Sequence, residues 1–144
     1  MNMGFMATEE DRSRAHPFAV PYDSPRAPFV ELKDSLPSQL DAVTPFLSRL
    51  MRLIVTFTGD RSAQADIEIA LREALLNSVI HGNKSNPEKR VYVTCRCGID
   101  GEISFAVRDE GTGFAYGEVE GLGICRIRGL MDKVSFADNG RLCI

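Results

Sequence analysis

Glu73 and Asn77 stand four residues apart in Leu71-Arg-Glu-Ala-Leu-Leu-Asn-Ser-Val-Ile-His-Gly82. On a helix that spacing puts both side chains on one face, one turn apart. Their neighbours Ala70, Ala74, Leu76 and Ile80 are apolar, so a carboxylate and an amide here border the core. A solvated stripe beside the core explains the pair equally well when it is taken alone. The functional reading gives each residue a task. The amide oxygen of Asn77 is a hard ligand suited to Mg²⁺, which keeps several waters and takes further oxygens from phosphates. Glu73 could accept a proton from an attacking hydroxyl or water. His81, one further turn along, could approach the same ligand, although a histidine closing a helix is the plainer reading.

A second group follows a predicted strand directly. In Asp109-Glu-Gly-Thr-Gly-Phe114 the strand-end carboxylate of Asp109 could accept a hydrogen bond from an adenine amino group. Gly111 and Gly113 would let the backbone turn tightly against a flat base. Gly121-Leu122-Gly123 then opens a predicted helix, and free N–H groups at a helix start attract phosphate. Each motif alone reads as an ordinary loop. Their order, a helix with ExxxN, two strands, DxGxG and then GxG, is far more specific than any one of them.

The elements that must position these residues are legible from periodicity. Phe29-Val-Glu-Leu-Lys33 alternates apolar with charged and predicts a short strand. A turn at Leu36-Pro37-Ser38 follows, with Ser38 as the helix N-cap. Leu40, Val43, Phe46, Leu47, Leu50 and Ile54 recur at helical steps. Pro45 interrupts them, so either that helix kinks or Thr44 caps a helix starting at Pro45. A second helix is predicted from about Ala63 to His81, stopped by Gly82. Val91 to Cys97 and Ile103 to Val107 alternate as strands across the turn signal Asp100-Gly101. A helix from about Leu122 to Met131 and a last hairpin, Val134 to Phe136 and Arg141 to Ile144, complete the order. Hairpins with grouped helices predict an α+β fold, a two-layer sandwich whose mixed, mostly antiparallel sheet is covered by helices on one face. Strict β–α alternation is missing, which argues against a doubly wound sheet.

The bulk properties narrow the function classes. The 144 residues suit one domain. Residues 1–27, polar, charged and proline-bearing, read as an extended or mobile arm, leaving 28–144 as the folded domain. A net charge of -3 with mixed signs offers no basic stripe for nucleic acid. No secretory signal or membrane-length apolar run is evident, so a cytoplasmic protein is expected. Cys95, Cys97, Cys125 and Cys143 lack metal-ligand spacing and are expected to be small buried hydrophobes in a reducing compartment.

On these motifs, residues from about 66 to 136 resemble the GHKL ATPase superfamily, whose nucleotide site is called the Bergerat fold. Within it they most resemble the bacterial anti-sigma-factor serine kinases. Glu73 to Gly82 looks like the N box, Asp109 to Phe114 like the first glycine box, and Gly121 to Val134, with its Leu-Met-Asp, like the second. The resemblance implies ATP and Mg²⁺ as cofactors. It implies that Asn77 holds Mg²⁺ and that Glu73 is the catalytic base. Asp109 would bind adenine in a pocket shaped by Gly111 and Gly113 and lined by Phe114, while Gly121 and Gly123 would face the phosphates, with Leu122 and His81 also counted among the ATP-binding residues. It further implies transfer of the γ-phosphate to a serine of an anti-anti-sigma (STAS-domain) partner, and sequestration of a sigma factor. Homodimerisation is common in such proteins, and the helix at 40–54 or the first strand could serve it.

Two departures bear on this. The lid between Phe114 and Gly121 is only Ala115-Tyr-Gly-Glu-Val-Glu120, short and acidic, and Glu118 and Glu120 would repel phosphate. The chain also stops inside or just after the last strand. The short lid makes a non-catalytic binding module of the same fold an alternative. A sensor histidine kinase ATP domain is a second, weakened because His16 lies in the proline-rich arm and His81 within the nucleotide helix. Arg126 and Arg128, two apart on a helix, do not share one direction.

Overall fold

The structure is a computed structural model and describes residues 28–112, 123–137 and 141–143. The arm assigned to 1–27, the lid, and Gly113, Phe114, Gly121 and Leu122 lie outside the described residues. Among the described residues, five strands and three α-helices follow in the order β1 (Phe29–Pro37), α1 (Leu40–Phe57), α2 (Arg61–Asn77), β2 (Arg90–Gly98), β3 (Ile103–Arg108), α3 (Ile124–Leu130), β4 (Ser135–Ala137) and β5 (Arg141–Cys143). The sheet order is β1-β2-β3-β5-β4. Every pairing is antiparallel, so the α+β sandwich is as expected but its sheet carries no parallel pair among the described residues.

Alternation decides which face is covered. Val91, Val93, Cys95 and Cys97 of β2 and Phe105 and Val107 of β3 are buried with Leu36 of β1. Against them pack Val43, Phe46, Leu47, Leu50 and Ile54 of α1, and Ile67, Ala70, Leu71, Ala74 and Leu75 of α2. Burying a leucine of this kind fully stabilises the fold by roughly 1.5–3 kcal/mol. The opposite face is polar: Arg96 lies over the Phe29 ring at 4.9 Å and Arg108 over Tyr92 at 4.8 Å. Glu31 bonds to Arg96 and lies 3.1 Å from Lys33 Nζ. Partial burial pushes the Glu31 carboxyl up, but these two cations outweigh it and hold it below the usual carboxylate range.

Several boundaries differ from the sequence reading for local reasons. β1 runs on to Pro37 because its register with β2 continues to Arg90. Ser38 is not a cap. Helix α1 starts after Gln39, which makes no side-chain cap bond, while Ser38 is buried and its hydroxyl accepts from Asn83 Nδ2 at 2.6 Å. Pro45 lies within α1, so Thr44 caps nothing there. Helix α2 starts earlier than Ala63, because Asp60 Oδ1 accepts from Ser62 N at 2.9 Å and Ala63 N at 3.2 Å. Asp60 thereby satisfies two otherwise orphaned donors.

The largest departure is at the end of α2. Residues Ser78–Gly82 form a π-helical turn, closed by Asn83 N donating to Ser78 O at 2.8 Å. Such turns are rare and concentrate at functional sites. His81 lies within this turn and is half-buried. Beyond it, Lys84 and Ser85 take positive φ values of 54° and 55°, in the left-handed region, and turn the chain into β2.

Candidate nucleotide site

The π turn packs against the loop after β3 with almost no space between the backbones. A Cβ placed on Gly82 would overlap the Asp109 carboxylate, and one on Gly111 would overlap the Gly82 carbonyl. Only glycine allows both approaches. Asp109 is itself buried, and its Oδ1 accepts from Gly111 N at 2.8 Å. The carboxylate is therefore held in one orientation by its own loop.

A buried asparagine joins this loop to the sheet. Asn83 Nδ2 donates to Ser38 Oγ at 2.6 Å and to Arg90 O at 2.9 Å, and its Oδ1 accepts from Glu110 N at 2.8 Å. One side chain thus ties together the end of β1, the start of β2, the π turn and the residue after Asp109. Glu110 completes the link by accepting from Arg90 N, while the Arg90 side chain returns to Ser35 Oγ and O at 3.0 and 3.1 Å. Because a buried polar group left unpaired is costly, this network sets where Asp109 sits. Sequence reasoning missed Asn83, Ser38 and Glu110. The available signal was a polar residue directly after Gly82, where a helix stop alone needs none.

At the other end, Glu73 meets the approach to α3. A Cβ on Gly123 would lie 2.6 Å from Glu73 Oε2 and 3.9 Å from Asn77 Nδ2, and Gly123 has φ +75°, so a side chain is excluded by space and by backbone alike. Glu73 and Asn77 are both half-buried, and Ala70 and Ala74 beside them are buried, whereas Ile80 is 38% exposed. Arg126 Nη1 of α3 donates to Glu73 Oε1 at 3.1 Å, with the two side chains 64% and 25% exposed. An exposed pair of this kind is worth about 0–1 kcal/mol and is readily exchanged. Helical spacing relative to Arg128 does not reveal this role of Arg126, because its partner lies 53 residues away on α2.

The structure therefore brings Glu73, Asn77 and Gly123 to one place, and Gly82, Asp109 and Gly111 to the next. Both lie along the line of α2 and its π turn. Carboxylate, amide and bare backbone in this arrangement suit a ligand with a hydrogen-bonding base at one end and a metal-bound phosphate at the other. A match to the family described as histidine kinase-like ATPase domain covers residues 36–144. The chain belongs to that family. The chain is also 34% identical over 73 residues to an anti-sigma F factor of Heyndrickxia coagulans, covering 51% of this chain and 45% of that one. It is 42% identical over 48 residues to that of Oceanobacillus iheyensis, covering 33% and 32%, and 38% identical over 48 residues to that of Priestia megaterium, covering 33% of each. The matched stretch thus spans less than half the length of these relatives. The resemblance drawn from the N box and the glycine boxes is borne out at the level of the family.

Two other expectations separate. Cys95 and Cys97 are buried, 3.6 Å apart at sulfur, as expected for small core hydrophobes, but Cys125 is exposed. Among the described residues there is no cluster of three or more His, Cys, Asp or Glu fit to hold a metal, and no helix long and apolar enough to cross a membrane.

Proposed function

We propose that this histidine kinase-like ATPase domain binds ATP with Mg²⁺ and acts as a cytoplasmic anti-sigma factor and protein serine kinase. It would phosphorylate a serine of a STAS-domain anti-anti-sigma partner and sequester a sigma factor. The single observation that carries the reading is the joint packing of α2 and its π turn. One end meets Gly123 at Glu73 and Asn77, and the other meets the Asp109 loop. The donor set fits the group: a fixed, buried carboxylate for the adenine amino group, an amide oxygen for Mg²⁺, and a cradle at Gly123 that a Cβ would fill. When bound, ATP supplies the transferable phosphoryl group. The chain's part is to position it, which is most of what phosphoryl transfer requires. Glu73, half-buried beside Gly123, would take the proton of the incoming serine hydroxyl.

A non-catalytic binding module is favoured by one specific observation, the engagement of Glu73 by Arg126. Incubation with Mg-ATP and the STAS partner separates the two readings. The kinase reading expects phosphoserine on the partner. Stable partner binding with no phosphoserine would remove the kinase and leave the module.

Homodimerisation, if it serves this function, is better suited to β1 than to α1, whose Val43, Phe46, Leu47, Leu50 and Ile54 are spent in the core although Leu40 is exposed. Strand β1 lies at the sheet edge with Phe29, Val30 and Leu32 exposed. Antiparallel self-pairing centred on Leu32 would set Glu31 against Lys33 of a second copy. A sedimentation mass unchanged by Leu32→Lys would rule that edge out.

A further inference from the structure

Arg126 stands three residues after Gly123, and its guanidinium crosses from α3 to Glu73 on α2. Gly123 in turn lies against the other oxygen of the same carboxylate and near the Asn77 amide. Arg126 therefore points at the one place where the proposed site would receive the terminal phosphate. Charge makes this position matter. From Phe114 to Glu120 the sequence has no lysine or arginine and has two glutamates, so that stretch offers no cation to a triphosphate. A guanidinium matches phosphate oxygens with paired donors, as it matches a carboxylate.

We infer that Arg126 is a γ-phosphate-binding residue, and that Glu73 is its resting partner, replaced when the third phosphate arrives. The inference rests on the ATP reading above and deepens it. One exchange then does two things. It supplies a counter-charge to the third phosphate, and it releases the Glu73 carboxylate from its ion pair to face the serine hydroxyl. ADP has no third phosphate and leaves the resting pair intact, so Arg126 distinguishes the two nucleotides.

The test is calorimetric titration of Mg-ATP and Mg-ADP into the full 144-residue chain and its R126A and E73Q variants. R126A is expected to weaken ATP about tenfold, the tenfold that 1.4 kcal/mol represents, with ADP affinity within about twofold of the parent. E73Q, which removes the resting partner, is expected to tighten ATP. An unchanged ATP/ADP ratio in R126A overturns the inference alone. So does an E73Q variant that loses ATP affinity as R126A does, since the pair would then be only a brace between α2 and α3. A parent chain that binds neither nucleotide overturns the ATP reading and this inference with it. Thermal unfolding of each variant without nucleotide controls for the fold, because Arg126 is largely exposed and its loss should leave the midpoint nearly unmoved.

Discussion

The side-chain oxygen of Asn83 accepts a hydrogen bond from the backbone N–H of Glu110 at 2.8 Å, linking the π turn to the loop that carries Asp109. The same side chain donates to Ser38 and to the Arg90 carbonyl, and it is fully buried. Changing Asn83→Ala should therefore strand three polar groups at once. A loss on the order of 3 kcal/mol is expected by urea denaturation, since each unsatisfied buried group costs about 1–3 kcal/mol. Ser38→Ala, which removes only the far partner, should cost less and spare nucleotide affinity. Equal losses of stability in the two variants would contradict the hub.

Gly82→Ala tests the contact with Asp109. Alanine is ordinarily the better residue in a helical segment, so any harm must come from the overlap of its Cβ with the carboxylate. ATP affinity is expected to fall at least about tenfold, or 1.4 kcal/mol, while the fold survives. Parental ATP binding by this variant would show that the Asp109 carboxylate does not touch the base.

Asn77→Ala should abolish the Mg²⁺-dependent part of nucleotide affinity and leave any metal-independent part in place. Titrations with and without excess chelator read the difference. If the chelator still weakens binding by the parental amount, Asn77 is not the metal's protein ligand.

The thiols should divide by exposure. Burial, reinforced by the neighbouring Cys97, pushes the Cys95 thiol far up, and burial pushes Cys97 up despite a hydrogen bond from Cys95. Site mapping by mass spectrometry after brief alkylation at neutral pH should find Cys125 modified, with Cys95 and Cys97 protected until the chain unfolds. The sign of the pH dependence follows. The folded thiols keep their protons at pH values where unfolded ones ionise, so stability is unaffected below the ordinary thiol value of about 8.5 and declines as pH rises above it. A C95A/C97A variant should lose that alkaline decline. Its persistence would assign the decline to other groups.

The glycine and polar motifs were readable in advance because their chemistry is local. Glu73 and Asn77 share a face by spacing alone, and Asp109 and Gly111 touch each other within one loop. The strand faces of Val91 to Cys97 were equally plain, since alternation with period two reports burial directly. Ser38, by contrast, was misread as a cap because serine before a helix usually is one. Its partner lies 45 residues away, and no local pattern announces such a bond.

The sequence by itself determined the family and the order of the elements, and it offered the residue types proposed here for a base, a metal and a phosphate. These depend on periodicity and on short spacings, which survive without knowledge of the fold. Only the tertiary structure decided that α2 ends in a π turn, that Asn83 anchors the Asp109 loop, and that Arg126 engages Glu73. Each of these depends on a contact between segments distant in the chain. The energy of such a contact exists only once packing has brought both partners out of water.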